Sequence, residues 1–239
     1  MNQTMRSITP ILTATILLSL SACSNKPPEY GTEPAIFLPG VARQTWAVAP
    51  AVNLSGVTQV DPILQADLLF GQLQQTAGLN VIPVNRVVEV FAALKIEQVQ
   101  SEEQAAIICD VLGCDALLVA TITAYDPYDP PKMGASLHLF RKTNVMNVGI
   151  DPRELVRRAS PKPNEATPAR SNFVQVVGMF DAANGSTRAA ALLYAQGRND
   201  PAGPYGAKGY LIEMDRYCGF VYHSLIEELL LKPALADAR

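Results

Sequence analysis

Histidine and tryptophan are nearly missing from this chain of 239 residues, which has two of the first and one of the second, and cysteine occurs four times. So few imidazoles and thiols leave little material for a metal centre or a disulfide scaffold. Charge is thin as well, at 17% of residues, and 19 basic against 22 acidic side chains give a net charge of −3. Without a basic excess the chain lacks the electrostatic footprint of a nucleic-acid binder. No stretch beyond the first 22 residues reaches the roughly 18 apolar residues of a membrane span. Proline is abundant, with 18 residues, and the 49% hydrophobic content is too high for a chain that stays unfolded throughout. The length suits one ordinary domain with an appendage.

The first 22 residues are a signal peptide. Arg6 supplies a positive start, Ile8 to Leu20 is uncharged and mostly apolar, and Ser21 and Ala22 are small. As a helix that run spans about 20 Å at ~1.5 Å per residue, well short of the roughly 30 Å hydrocarbon core, so it targets the chain without spanning the membrane. The string Leu20-Ser21-Ala22-Cys23 resembles the bacterial lipobox. That resemblance implies acylation (palmitate among the lipids) of Cys23, cleavage before it, and attachment to a membrane by lipid alone, for which several acyl chains suffice. Ser24, where aspartate would retain such a protein, implies the inner leaflet of the outer membrane, facing the periplasm.

Residues 23–42, with Pro27, Pro28, Pro34 and Pro39, read as a lipidated, proline-rich tether that could reach up to roughly 60 Å at ~3.1 Å per residue. Packing of Ile36, Phe37 and Leu38 on the domain is the alternative. Residues 43–232 form the domain, and 233–239 a tail after Pro233. Thr45 to Pro50 is a short strand. Asp61-Pro62 starts a helix that Gly78 stops, Leu79 to Val84 is a strand, and Asn85 caps a second helix. Ser101 and Gln104 form a capping box for a third, which ends at Gly113. Asp115 to Tyr125 is a nearly unbroken apolar strand of the kind buried on both faces. Strands also fall at Ala135–Arg141 and Phe173–Phe180, separated by an excursion at about 144–172. An alanine-rich helix begins at Asn184. Leu211, Met214, Cys218, Val221, Tyr222, Leu225 and Leu229 form the stripe of a long carboxy-terminal amphipathic helix. The expected fold is a single layered α/β domain, a mixed sheet flanked by helices.

A strand ending in Ala-Pro, the Asn53-Leu54-Ser55-Gly56 loop, Val-Ile-Pro-Val-Asn-Arg and a Gly-x-Asp-Ala-Leu-Leu-Val strand followed by Tyr-Asp occur in that order between residues 43 and 141. The order resembles the periplasmic α/β domain shared by curli-secretion lipoproteins, penicillin-binding-protein activator lipoproteins and the amino-terminal domain of TolB. These are structural residues, so the resemblance implies a fold and an envelope setting, and it brings no catalytic signature.

The candidate chemistry is sparse. His138 and His223 stand in no His-Glu-x-x-His or Cys-x-x-Cys pattern, and His223 four residues before Glu227 suits an exposed helical ion pair. No Gly-x-Ser-x-Gly elbow is present, and the glycines at 203, 206 and 209 follow a helix and lack the Gly-Lys-Ser/Thr end of a phosphate loop. Asp126 and Asp129 read as turn caps. No catalytic, metal or cofactor residue is therefore expected, and the chain is read as no enzyme. Tyr125 and Tyr128 are candidate partner contacts, tyrosine being enriched at interfaces. So are Arg153, Arg157 and Arg158. From Arg141 to Arg170 seven basic residues stand against the acids Asp151, Glu154 and Glu165. With Cys23 acylated, Cys109, Cys114 and Cys218 remain. Cys109 and Cys114 straddle the Gly113 helix stop and are either a disulfide or two buried thiols. The expected function is an adaptor or assembly factor for an unidentified envelope protein. The alternatives are a small-solute binding protein or enzyme of the envelope, and a secretion-pore subunit, for which the strands are too short.

Overall fold

In a computed structural model that describes Gly31, Ile36–Phe37, residues 43–142, Arg153, residues 173–232 and Leu235, the chain forms these elements in order. They are β1 (Ile36–Phe37), β2 (Gln44–Val48), β3 (Val52–Asn53), α1 (Pro62–Gln74), β4 (Thr76–Ala77), β5 (Leu79–Ile82), α2 (Val84–Leu94), α3 (Glu102–Leu112), β6 (Ala116–Asp126), β7 (Lys132–Arg141), β8 (Phe173–Asp181), α4 (Gly185–Tyr194), a 3-10 turn (Gly206–Lys208), α5 (Gly209–Ile212) and α6 (Met214–Leu230). The six-stranded sheet runs β5-β2-β6-β7-β8, and β3 extends the β2 edge of β6. β5, β2, β3 and β6 are parallel, whereas β7 and β8 are antiparallel hairpin neighbours. The expected class, a mixed sheet with helices against it, is the observed one.

β6 sits at the centre because its side chains are apolar on both sides. Leu118, Ala120 and Ile122 point into one core with Trp46, Leu69, Leu73 and the buried residues of α6. Leu117 and Val119 point into another with Val87, Phe91, Ile107 and Ile108 from α2 and α3. Strands buried on both faces read as continuous apolar runs. β2 and β3 are one strand interrupted at Pro50, which has no N–H for the ladder. Around it Ala49 N–H donates to Leu118 O (2.9 Å) and Ala51 N–H to Pro62 O (3.0 Å).

The predicted caps of α1 and α3 are present. Asp61 Oδ1 accepts from Ile63 N–H (2.8 Å) and Leu64 N–H (3.4 Å) ahead of Pro62. Ser101 Oγ accepts from Gln104 N–H (3.2 Å), and Gly113 closes α3 in the left-handed region at φ 71°. Several boundaries differ from expectation. α1 stops at Gln74, because Thr76–Ala77 leaves the helix to pair in parallel with Ile36–Phe37. That pairing also realises the packing alternative for the segment read as tether. The cap of α2 is Pro83, while Asn85 Oδ1 accepts only from its neighbour Arg86 N–H (2.9 Å).

The carboxy-terminal helix differs twice. Glu213 is extended (φ −94°, ψ 112°) and splits α5 from α6. α6 is buried around most of its circumference, Tyr217 to His223 without a break, because it lies between the sheet, α1, α4 and α5. The expected apolar stripe is the buried side, and the polar strip is narrow, limited to Asp215, Arg216, Glu227 and Glu228. Among the described residues no helix is long and apolar enough to cross a membrane.

Candidate functional site

The loops that end β3, β6 and β8 gather at one end of the sheet. β3 pairs with Ile122, four residues before the end of β6, and Lys132 at the start of β7 pairs with Asp181 at the end of β8. The Asn53 loop closes on itself. Asn53 Oδ1 accepts from Ser55 N–H (3.0 Å) and Ser55 Oγ (2.7 Å), and Asn53 Nδ2 donates to Val57 O (2.9 Å). Gly56 takes φ 76°, a left-handed conformation that favours glycine. The Asn-x-Ser-Gly motif is therefore a turn device that leaves Leu54 exposed at 66%.

In the next loop Asp126 Oδ1 accepts from Tyr128 N–H (3.2 Å), the turn-capping role expected of it. The Asp129 carboxylate is 3.9 Å from Arg188 Nη2. Lys132 Nζ donates to Asp181 Oδ2 (2.8 Å), and Asp181 Oδ1 accepts from Ala183 N–H (2.9 Å). These bonds hold the Asp181 carboxyl below its usual range and the Lys132 ammonium above its own. The two predicted tyrosines part company here. Tyr128 is 77% exposed at the loop tip. Tyr125 is half-buried against the first core, and burial pushes its phenol up to about 12. Tyr125 is thus packed in part against the core, whereas Tyr128 stands free of it.

Beside this end, the side of β8 that points away from the first core is open to solvent. Val177 and Met179 are exposed at 62% and 61%, next to exposed Gln175. A Cβ at Gly134 would lie 2.8 Å from Thr123 Oγ1 and 2.9 Å from Met179 Cε. Glycine therefore lets the methionine lie flat across the neighbouring strand. On the same face Ser136 Oγ and His138 Nε2 are 2.8 Å apart, and the His138 ring lies 5.5 Å from that of Phe173. Burial lowers the His138 pKa.

The basic excursion is described only at its edges. Lys142 Nζ pairs with Asp110 Oδ1 (2.8 Å) at the end of α3. Arg153 Nε donates to Ala93 O (2.8 Å) in the last turn of α2, where a cation also favours the helix dipole. Arg153 therefore has a structural contact that sequence reasoning missed. Arg157, Arg158 and Cys23 lie outside the described residues.

His223 also departs from expectation. It is 9% exposed, and burial together with nearby Arg198 lowers its pKa to about 4. It is therefore neutral at pH 7, and the 3.6 Å approach to Glu227 is no ion pair there. Its ring packs 4.8 Å from Tyr194. Tyr194 also lines a cavity of about 250 Å³ with Gln72, Arg198, Tyr210, Arg216 and others. There the Arg198 guanidinium lies 4.2 Å over the Tyr194 ring, Tyr194 Oη donates to Gln72 Oε1 (2.8 Å), and Arg216 Nε pairs with Glu213 (2.7 Å). Two guanidiniums, two phenols and the Asp215 carboxylate line it, so the cavity is polar and of mixed charge. No sequence motif marks this cavity, since its lining comes from α1, α4, α5 and α6 at separations that only the fold brings together.

No family model and no curated protein matches the chain. Solved structures similar to it include the carboxy-terminal domain of LpoB from Salmonella enterica, 11% identical with a TM-score of 0.38, over 60% of this chain and 87% of that one. They include the PelC dodecamer from Paraburkholderia phytofirmans, 9% identical with a TM-score of 0.37, over 81% and 93%. A lipoprotein from Neisseria meningitidis is also similar, 17% identical with a TM-score of 0.34, over 59% and 84%.

Proposed function

We propose that this chain is a lipid-anchored protein of the bacterial cell envelope that works as a non-enzymatic adaptor for another envelope protein. Leu20-Ser21-Ala22-Cys23 supports the anchor, Ser24 supports the inner leaflet of the outer membrane, and the motifs between residues 43 and 141 support the kinship with envelope lipoproteins. The observation that carries the adaptor reading is the uncovered corner of the sheet. Tyr128 at the loop tip and Val177 and Met179 on β8 place large apolar side chains in water, with the exposed polar groups of Asp129, Gln175 and Arg188 in the same loop, strand and following helix. Exposed apolar residues rimmed by polar ones mark protein interaction sites.

A photo-crosslinking residue at position 128 or 179 should trap one discrete partner in intact cells, and the same residue at exposed Glu97, away from this corner, should not. Equal labelling from all three positions would defeat the reading. Cys23→Ala should release a folded domain from the membrane, and its retention after a salt wash would defeat the anchor. The cavity beside Tyr194 and Arg198 favours a second reading, capture of a small polar solute. A rise in melting temperature with small carboxylates, lost in Arg198→Ala, would support that reading over the first.

A further inference from the structure

Of the three cysteines in the described residues, Cys218 belongs to the core on one side of the sheet and Cys109 and Cys114 to the core on the other. The pair meets for a local reason. Gly113 turns left-handed after α3, and Cys114 N–H then donates to Cys109 O at 3.0 Å. That six-residue bond is the Schellman closure, and the residues it joins usually make an apolar side-chain contact. Here the two residues it joins are both cysteines, close enough for each thiol to act on the ionisation of the other. Both are buried, at 0% and 1% exposure, and both are free thiols.

We propose that Cys109 and Cys114 are a modification site, closed as a disulfide across the end of α3 when the chain folds in an oxidising compartment. The inference rests on the export reading above, because disulfides persist in the periplasm and are rare in the cytosol. The co-reactant is a disulfide oxidant, meaning a thiol oxidoreductase in its disulfide form or glutathione disulfide. Cys114 as thiolate attacks one oxidant sulfur, forming a mixed disulfide and expelling the other sulfur as thiolate. Cys109 as thiolate then attacks Cys114 Sγ and expels the second oxidant sulfur. One Sγ–Sγ bond forms, the oxidant disulfide is reduced by two electrons, and the two thiol protons end on the two released thiols. Either cysteine can make the first attack, and the balance is the same. The exchange belongs to the folding chain, before the core of α2 and α3 covers both sulfurs.

The experiment uses the full chain, purified from membranes without reductant, alkylated with N-ethylmaleimide in denaturant and mapped by mass spectrometry. The expected result is a 109–114 peptide lighter by two hydrogens than the dithiol and without alkyl groups, Cys218 alkylated, and Cys23 acylated. Alkyl groups on both Cys109 and Cys114 in a chain whose Cys23 is acylated would overturn the disulfide and leave the anchoring reading intact. As a second arm, the reduced protein is unfolded and refolded in glutathione buffer. Closure of the pair there, in a chain whose Cys23 is found unacylated in cells, would support the pairing and strike the export reading alone. Thiols that stay free in that buffer would overturn the pairing whatever the compartment.

Discussion

The parallel and antiparallel halves of the sheet are built to different rules. Around β2 and β6 helices lie on both faces, and Trp46, Ala47, Leu117 and Leu118 are all wholly buried. Across β7 and β8 the second layer of helices reaches, among the described residues, as far as Phe140, so one face of β8 has Val174 and Val176 in the core while the other shows Gln175, Val177 and Met179 to water. A parallel sheet joined by helical crossovers is covered twice by its own connections, whereas the short turn from Asp126 to Lys132 adds β7 without adding a layer. Stability should therefore reside in the first half, and the surface left over for binding in the second.

The sharpest way to break that contrast is Leu118→Ala. Its side chain is fully buried in the central strand, and the truncation should cost about 2–5 kcal/mol in chemical denaturation. A loss under about 0.5 kcal/mol would mean that the double-covered half is not where the stability lies.

The next largest effect concerns α6, which closes one face of both halves. An unfolded chain takes up a proton at His223 below pH 6.5, whereas the folded chain refuses it until about pH 4. Between those values the unfolded state binds more protons, so stability falls as the pH falls, by about 3 kcal/mol in all. Denaturation of wild type and His223→Gln from pH 7 to pH 4 should show a steeper slope in the wild type, the variant keeping only what His138 and the carboxylates contribute. Equal slopes would place the pH dependence elsewhere.

Asp61→Ala removes the cap that starts α1 on the same face and should cost about 1 kcal/mol, most of it recovered by Asp61→Ser. The smallest effects belong to the open face. Val177→Ala, Met179→Ala and Tyr128→Ala should each change stability by under about 0.5 kcal/mol. A larger loss at Val177 in the isolated protein would mean that this face is covered after all.

The same contrast explains how much could be read beforehand. β6 was legible because Ala-Leu-Leu-Val-Ala is apolar at every position, a pattern that only double coverage requires. α1 and α3 were legible through Asp61-Pro62, Ser101 and Gly113, whose side chains or φ angles act within a few residues. What failed was non-local. Thr76–Ala77 reads as the end of a helix until Ile36–Phe37 arrives from 40 residues away to pair with it. Tyr125 and Tyr128 look alike in sequence, and only the β-bulge in β6 after Ile122 and the core beneath decide which is buried. His223 follows the spacing of an exposed ion pair, but Tyr194 and Arg198 cover it. Of the candidate site, Tyr128 was visible in advance and the bare face of β8 was not, because no pattern in β8 says which partner layer is missing.

The docking of the amino-terminal strand decides where a leash would leave the domain. Gly31 N–H donates to Gly197 O at 2.7 Å, and β1 is paired with β4 soon after, so the chain is fastened to the domain well before residue 43. If Cys23 carries the proposed lipid, the sequence from it to that first contact is eight residues long, at most about 25 Å at ~3.1 Å each. That is less than half the roughly 60 Å that residues 23–42 would allow. On the proposed anchoring, the region around Gly197 would then be the part of the domain held nearest the bilayer.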